Sequence, residues 1–184
     1  AKSAHFSVRF EGPADDVAGR RILDLLEQAY WRVGGILSTY PTEPITVILY
    51  TREQFRDITR SPEWASGLFD GSIKIPTAGA LESSDLKRIL DHEFVHAVVA
   101  NLGGNAVPAW LNEGLATALE PGGLQWTEAV LAQESRRLPL SRLERGFGGL
   151  TAAQVAVAYA QSARAVKRIL DLRGPAAVVS LLRA

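Results

Sequence analysis

The sequence predicts an α+β domain on three observations. Strand-like runs occur only in the first half of the chain, and the second half shows helical periodicity alone. The 184 residues, 47% of them apolar, are enough for one domain spanning 1–184 with a substantial core. Phe6, Val8 and Phe10 alternate as in a strand that stops at Glu11-Gly12-Pro13. From Ala14 to about Leu37, the residues Val17, Ile22, Leu25, Leu26, Ala29, Val33 and Ile36 recur at helical spacing. Ile45–Tyr50 is a compact β-branched run between Pro44 and Thr51, a second strand. Thr51 and Gln54 form a capping box, each side chain able to satisfy the other's backbone N–H, and start a short helix to about Ile58. Asp70-Gly71-Ser72 reads as a turn into the short strand Ile73-Lys74-Ile75-Pro76, whose alternation and closing proline suit a sheet edge.

Helices follow. One runs from about Ser84 to Asn101 and is closed by Gly103-Gly104, where glycine takes the left-handed cap conformation. Pro108 opens the next, through about Leu119, and Pro121 stops it. A helix over Thr127–Arg137 precedes a glycine-rich loop at 146–149. A second capping box, Thr151 with Gln154, starts a helix to about Leu172, and a last helix follows Pro175.

Composition excludes several functions. Twenty basic and twenty acidic residues balance to a formal net charge of zero, which offers no attraction to nucleic acid or to an acidic membrane surface. Without cysteine there is no disulfide, thiolate metal site or cysteine nucleophile. No apolar run reaches the length of about 18 residues needed to cross a bilayer, so direct membrane insertion by this segment is not expected. The first residues do not form a signal peptide and methionine is absent throughout, as expected of a mature form or a piece of a longer chain.

The chemistry concentrates in His92-Glu93-Phe94-Val95-His96, in the middle of the 84–101 helix. Residues four apart on a helix lie one turn above each other, so both imidazoles emerge on one face at chelating separation. Glu93 is rotated by about 100° from His92, so it can lean over an open metal position without being a ligand. Leu86, Leu90, Phe94 and Val98 lie on the other side and pack the helix into the core, which fixes the histidine rotamers. Two incidental histidines are the competing reading, so the motif needs a third ligand. Glu113, in Trp110-Leu111-Asn112-Glu113-Gly114-Leu115-Ala116 on the next helix, supplies it: a short loop sets two helices antiparallel, so the start of the second faces the middle of the first. Two histidines and one carboxylate leave a water position open, the usual arrangement of catalytic zinc, at one ion per chain. His5 lies in the N-terminal strand and is not a candidate.

These residues carry a family resemblance. His-Glu-x-x-His followed by Trp-Leu-Asn-Glu-Gly-Leu-Ala resembles the gluzincin metallopeptidases, especially the small bacterial peptidase-MA-like domains. The resemblance spans roughly residues 45–182 and is strongest at 89–120. It implies a thermolysin-like zincin fold, with zinc in a cleft between an upper α/β part (about 1–103) and a lower helical part (about 104–184). It also implies that the strand Ser72, Ile73, Lys74 and Ile75 lines the cleft and pairs with the backbone of a polypeptide substrate. Tyr159, in Ala158-Tyr159-Ala160-Gln161-Ser162, matches a helix with a catalytic tyrosine, and could stabilise the oxyanion or simply pack a helix interface. Such enzymes often carry an acidic residue four positions after the glutamate ligand to orient a histidine. Here that position is Thr117, so ring orientation is weaker or falls to another residue such as Asn112. A Gly-x-Met-Glu-Asn aminopeptidase motif is missing, so amino-terminal recognition is not assigned to Glu82 and endopeptidase activity is favoured.

The expected reaction is zinc-dependent peptide-bond hydrolysis, with Glu93 as base towards the attacking water. The rival is a catalytically inactive, zinc-bearing module that binds polypeptide through the 72–76 strand. Glu93 argues against it, since a structural site has no use for a base there. Zinc hydrolysis of a non-peptide amide is a third reading. Family relatives often sit in longer, exported or membrane-tethered bacterial proteins. Of the weaker signals, Arg136, Arg137, Arg142 and Arg145 read as a solvated basic face, and Trp64, Trp110 and Trp126 as core or interface residues.

Overall fold

A computed structural model describes residues 1–11, 15–60, 66–76, 85–103 and 107–184. The protein is α+β, mainly helical, with one small four-stranded sheet among the described residues. Two compact units divide it, residues 1–35 with 39–98 and residues 36–38 with 99–184. The sequence reading put the change from α/β to helical organisation near Gly103; the division between units falls at Val98–Val99.

The first unit contains β1 (Phe6–Phe10), most of α1 (Asp16–Leu37), β2 (Ile45–Tyr50), α2 (Arg52–Thr59), β3 (Leu68–Phe69), β4 (Ile73–Pro76) and most of α3 (Asp85–Gly103). The sheet order is β1-β2-β4-β3, parallel except for the antiparallel β3–β4 pair. Register aligns Val8 with Val47 and Val47 with Ile73, a row of three buried side chains across the parallel strands. Their neighbours Arg9, Ile48 and Lys74 form the alternate row, as a side-chain period of two requires. An aromatic cluster ties the elements together. Phe6 of β1 meets Tyr30 of α1 and Phe94 of α3 edge-on at 6.3 and 5.7 Å between centroids, and Tyr30 meets Phe94 at 5.9 Å. Phe94 is fully buried, and such burial stabilises by about 2–3 kcal/mol. Leu86, Leu90 and Val98 are buried with it, so the expected core face of this helix is present.

The proline-ended strand is not at the edge. β4 is hydrogen-bonded on both sides, and β1 and β3 are the outer strands. Its alternation, buried at Ile73 and Ile75, is equally that of an inner strand. Pro76 is tolerated because β3 pairs only with Ile73 and Lys74, so the proline lies past the antiparallel ladder. β3 was not foreseen, since two residues carry no periodicity to detect.

In the second unit, α7 (Ala152–Arg173) packs against α4 (Ala109–Leu119), α5 (Gly123–Gln133) and α8 (Pro175–Leu182). A short α6 (Leu140–Leu143), in a stretch to which the sequence assigns no element, and a 3-10 turn at Phe147–Gly149, within the expected glycine-rich loop, lie between α5 and α7. Both capping boxes form as expected, Thr51 with Gln54 and Thr151 with Gln154. α5 begins one turn before the expected Thr127, after Gly122 in the left-handed conformation (φ 73°). Thr127 is interior to the helix, its hydroxyl donating to the Leu124 carbonyl. Gly103 is helical rather than a left-handed cap. Glycine is needed there because a Cβ would overlap the Leu182 carbonyl. Its expected companion Gly104, like Ser84, Glu82 and Trp64, lies outside the described residues.

Candidate metal centre

His92 and His96 stand one turn apart on α3, both half-buried, with ring centroids 4.8 Å apart and planes at 80°. Glu113, also half-buried, lies in the second turn of α4. One donor atom from each of these three residues can be chosen so that all lie within 4.8 Å of one another. Two imidazoles and a carboxylate are a donor set suited to zinc and related divalent ions. Glu93, the residue between the histidines, is buried at 6% exposure.

Beside the motif sits a charged residue that sequence reasoning overlooked. Asp91 is fully buried and meets Lys87 Nζ at 2.8 Å and Arg32 at 3.1 Å, linking α3 to α1 within the first unit. A buried carboxylate is costly unless it is paired. Here two cations compensate it and hold the turn of α3 on which His92 stands. The i,i+4 spacing of Lys87 and Asp91 was visible in the sequence, but nothing in it announced that Asp91 is buried.

Asn112 is half-buried next to Glu113. Thr117 is fully buried, and its hydroxyl makes no hydrogen bond among the described residues. Tyr159 on α7 lies edge-on to Phe147 at 5.2 Å, in a cluster with Leu143, Ala158 and Trp110. Two residues further on, the Gln161 side chain accepts from the Leu138 N–H (2.8 Å) and donates to the Leu138 carbonyl (3.2 Å), pinning the segment after α5 to α7. Of the residues expected to line the substrate strand, Ser72 is in the turn before β4, and Ile73 and Ile75 are fully buried. Lys74 is ion-paired with Asp70 across that turn. The ammonium beside Asp70 holds its carboxyl below the usual range, against the opposing effect of burial.

His5 is engaged elsewhere, with Nδ1 2.7 Å from Glu27 and its ring stacked on Tyr30 at 3.7 Å. Burial pushes the Glu27 carboxyl up, but hydrogen bonds from Ser3 and His5 outweigh it and the net shift is downward. Arg136, Arg137, Arg142 and Arg145 are all exposed, and Arg137 also caps α5 by donating to the carbonyls of Leu131 (3.0 Å) and Glu134. Trp126 donates to the buried Glu120 at 3.0 Å. No family model, curated protein or solved structure matches the chain.

Proposed function

We propose that the chain is a single-zinc peptide hydrolase of the gluzincin type, with a thermolysin-like zincin fold and endopeptidase activity on polypeptide substrates. The observation that carries this reading is the convergence of His92, His96 and Glu113 donor atoms within 4.8 Å, with the buried Glu93 between the two histidines in sequence. His92, His96 and Glu113 would hold the ion through nitrogen and oxygen donors. Bound zinc supplies a Lewis acid that polarises a carbonyl and brings a water's pKa to near neutrality.

The remaining chemistry belongs to the chain. Glu93 accepts the proton of the attacking water and returns it to the leaving amine as the peptide bond breaks. Its burial keeps competing water from solvating the carboxylate. The core face of α3 (Leu86, Leu90, Phe94, Val98) restrains the turn that bears both histidines and the base, and the Asp91 ion pairs anchor that turn from the α1 side. Tyr159 is assigned the oxyanion contact, its hydroxyl donating as negative charge develops on the carbonyl oxygen. Thr117 offers no replacement for the acidic residue found at that position in similar enzymes, which leaves Asn112 as the residue of α4 nearest in sequence to Glu113 that can orient a ligand.

Metal analysis together with casein cleavage tests the proposal, comparing the wild type with Glu93→Ala. One zinc per chain in both proteins, with cleavage only in the wild type, is expected. Zinc in both and cleavage of neither casein nor a varied peptide library would favour the inactive binding module. Absence of zinc after loading at neutral pH would overturn the metal site.

A further inference from the structure

Gly67 stands immediately ahead of β3, half-buried and outside every segment singled out from the sequence. Its backbone does not require glycine, because its φ is not in the left-handed region. Space does. A methyl group at this position would stand 2.6 Å from Glu93 Oε1, 2.8 Å from Cγ and 2.9 Å from Cδ, closer than carbon atoms approach one another or an oxygen without a bond. Turning the carboxylate about its last torsion moves Oε1 but leaves Cγ and Cδ in conflict, so the whole distal half of Glu93 would have to leave. With only 6% of the residue exposed, little room exists for another rotamer.

We propose that Gly67 is a positioning residue for Glu93: the absent side chain is the space that the carboxylate occupies, and the Gly67 backbone is the wall that sets its rotamer. The assignment of a catalytic consequence rests on the hydrolase reading above, whereas the contact itself does not. Both residues belong to the same compact unit. The arrangement makes the base's position depend on the segment entering the outer strand β3, which the helix motif alone does not control. Any side chain at position 67 displaces the base while leaving His92 and His96 on their own helix turn.

The test is a double-mutant cycle on the full chain, read by melting temperature, zinc content and steady-state kinetics. Gly67→Ala is expected to lower the melting temperature by about 5 °C, the size of an ordinary overpacking penalty in a chain of this length. The same substitution in a Glu93→Gln background should cost as much, because glutamine fills the same space. In a Glu93→Ala background the loss should vanish. Zinc content of Gly67→Ala should match the wild type, with kcat lower by about 100-fold and KM little changed, as for a misplaced base rather than a lost binding contact. An equal loss of stability in the Glu93→Ala background would overturn the proposal, as would an unchanged melting temperature with unchanged kcat. Should the wild type hold no zinc and cleave nothing, a cycle that still depends on Glu93 supports the Gly67 contact while the hydrolase reading fails.

Discussion

At the scale of single residues, the three candidate ligands and the base are expected to separate by phenotype. His92→Ala or Glu113→Ala should each reduce bound zinc to a small fraction of one ion per chain, measured after dialysis at neutral pH. Glu93→Gln should keep the ion and lower kcat by about 10²- to 10⁴-fold, the usual worth of a positioned base. Asp91 is a stabilising rather than a reacting residue. Removing one partner of a buried ion pair costs about 3–5 kcal/mol, and the partial exposure of Arg32 (36%) and Lys87 (37%) brings the expected loss for Asp91→Ala to about 2–3 kcal/mol. Urea denaturation of the variant would measure it. The His5–Glu27 pair has a pH signature. Because the Glu27 carboxyl titrates below its ordinary value of 4.5 in the folded chain, its contribution is full above that value and is lost as pH falls through the lowered one. The stability difference between wild type and Glu27→Gln should therefore shrink as pH is lowered from 6 towards about 3.

At the scale of elements, local chemistry and close packing act separately. The Thr51–Gln54 and Thr151–Gln154 boxes could be read directly because their hydrogen bonds join residues three apart, and both are present. Thr151→Ala should cost about 1 kcal/mol, detectable in a chemical melt. Gly114 is the opposite case. A methyl group there would stand 2.5 Å from the Ser162 carbonyl oxygen and 2.6 Å from its carbon, so the glycine lets α4 and α7 approach backbone to backbone. The obstacle is main chain and cannot rotate away, so Gly114→Ala should destabilise by about 2–3 kcal/mol despite alanine's better helix propensity. Measured stability equal to or above the wild type would show that the two helices are not in such close contact. Nothing in Asn112-Glu113-Gly114 announces this packing role, since a helical glycine next to a ligand reads equally well as part of a motif. β3, α6 and the shifted start of α5 went unseen for a related reason: their limits are set by neighbouring backbone, not by a residue pattern of detectable length.

At the scale of the whole molecule, metal removal is the informative perturbation. A ligand that binds only the folded chain stabilises it by about 2.7 kcal/mol at one hundred times its dissociation constant. Stripping the ion with a chelator should thus lower the melting temperature by roughly 5–10 °C in a chain of this length, reversed by adding zinc. Glu113→Ala should be insensitive to the chelator. The α+β class, most helix limits, the two capping boxes and the His92/Glu93/His96 spacing were determined by sequence alone, because each depends on residues within a turn or two of one another. Tertiary structure alone decided which strands are outermost, that Asp91 is a buried, doubly paired charge, and that Gly67 leaves the space filled by Glu93. Those facts join residues distant in the chain, and a period or a cap carries no information about which distant backbone will come to rest against it.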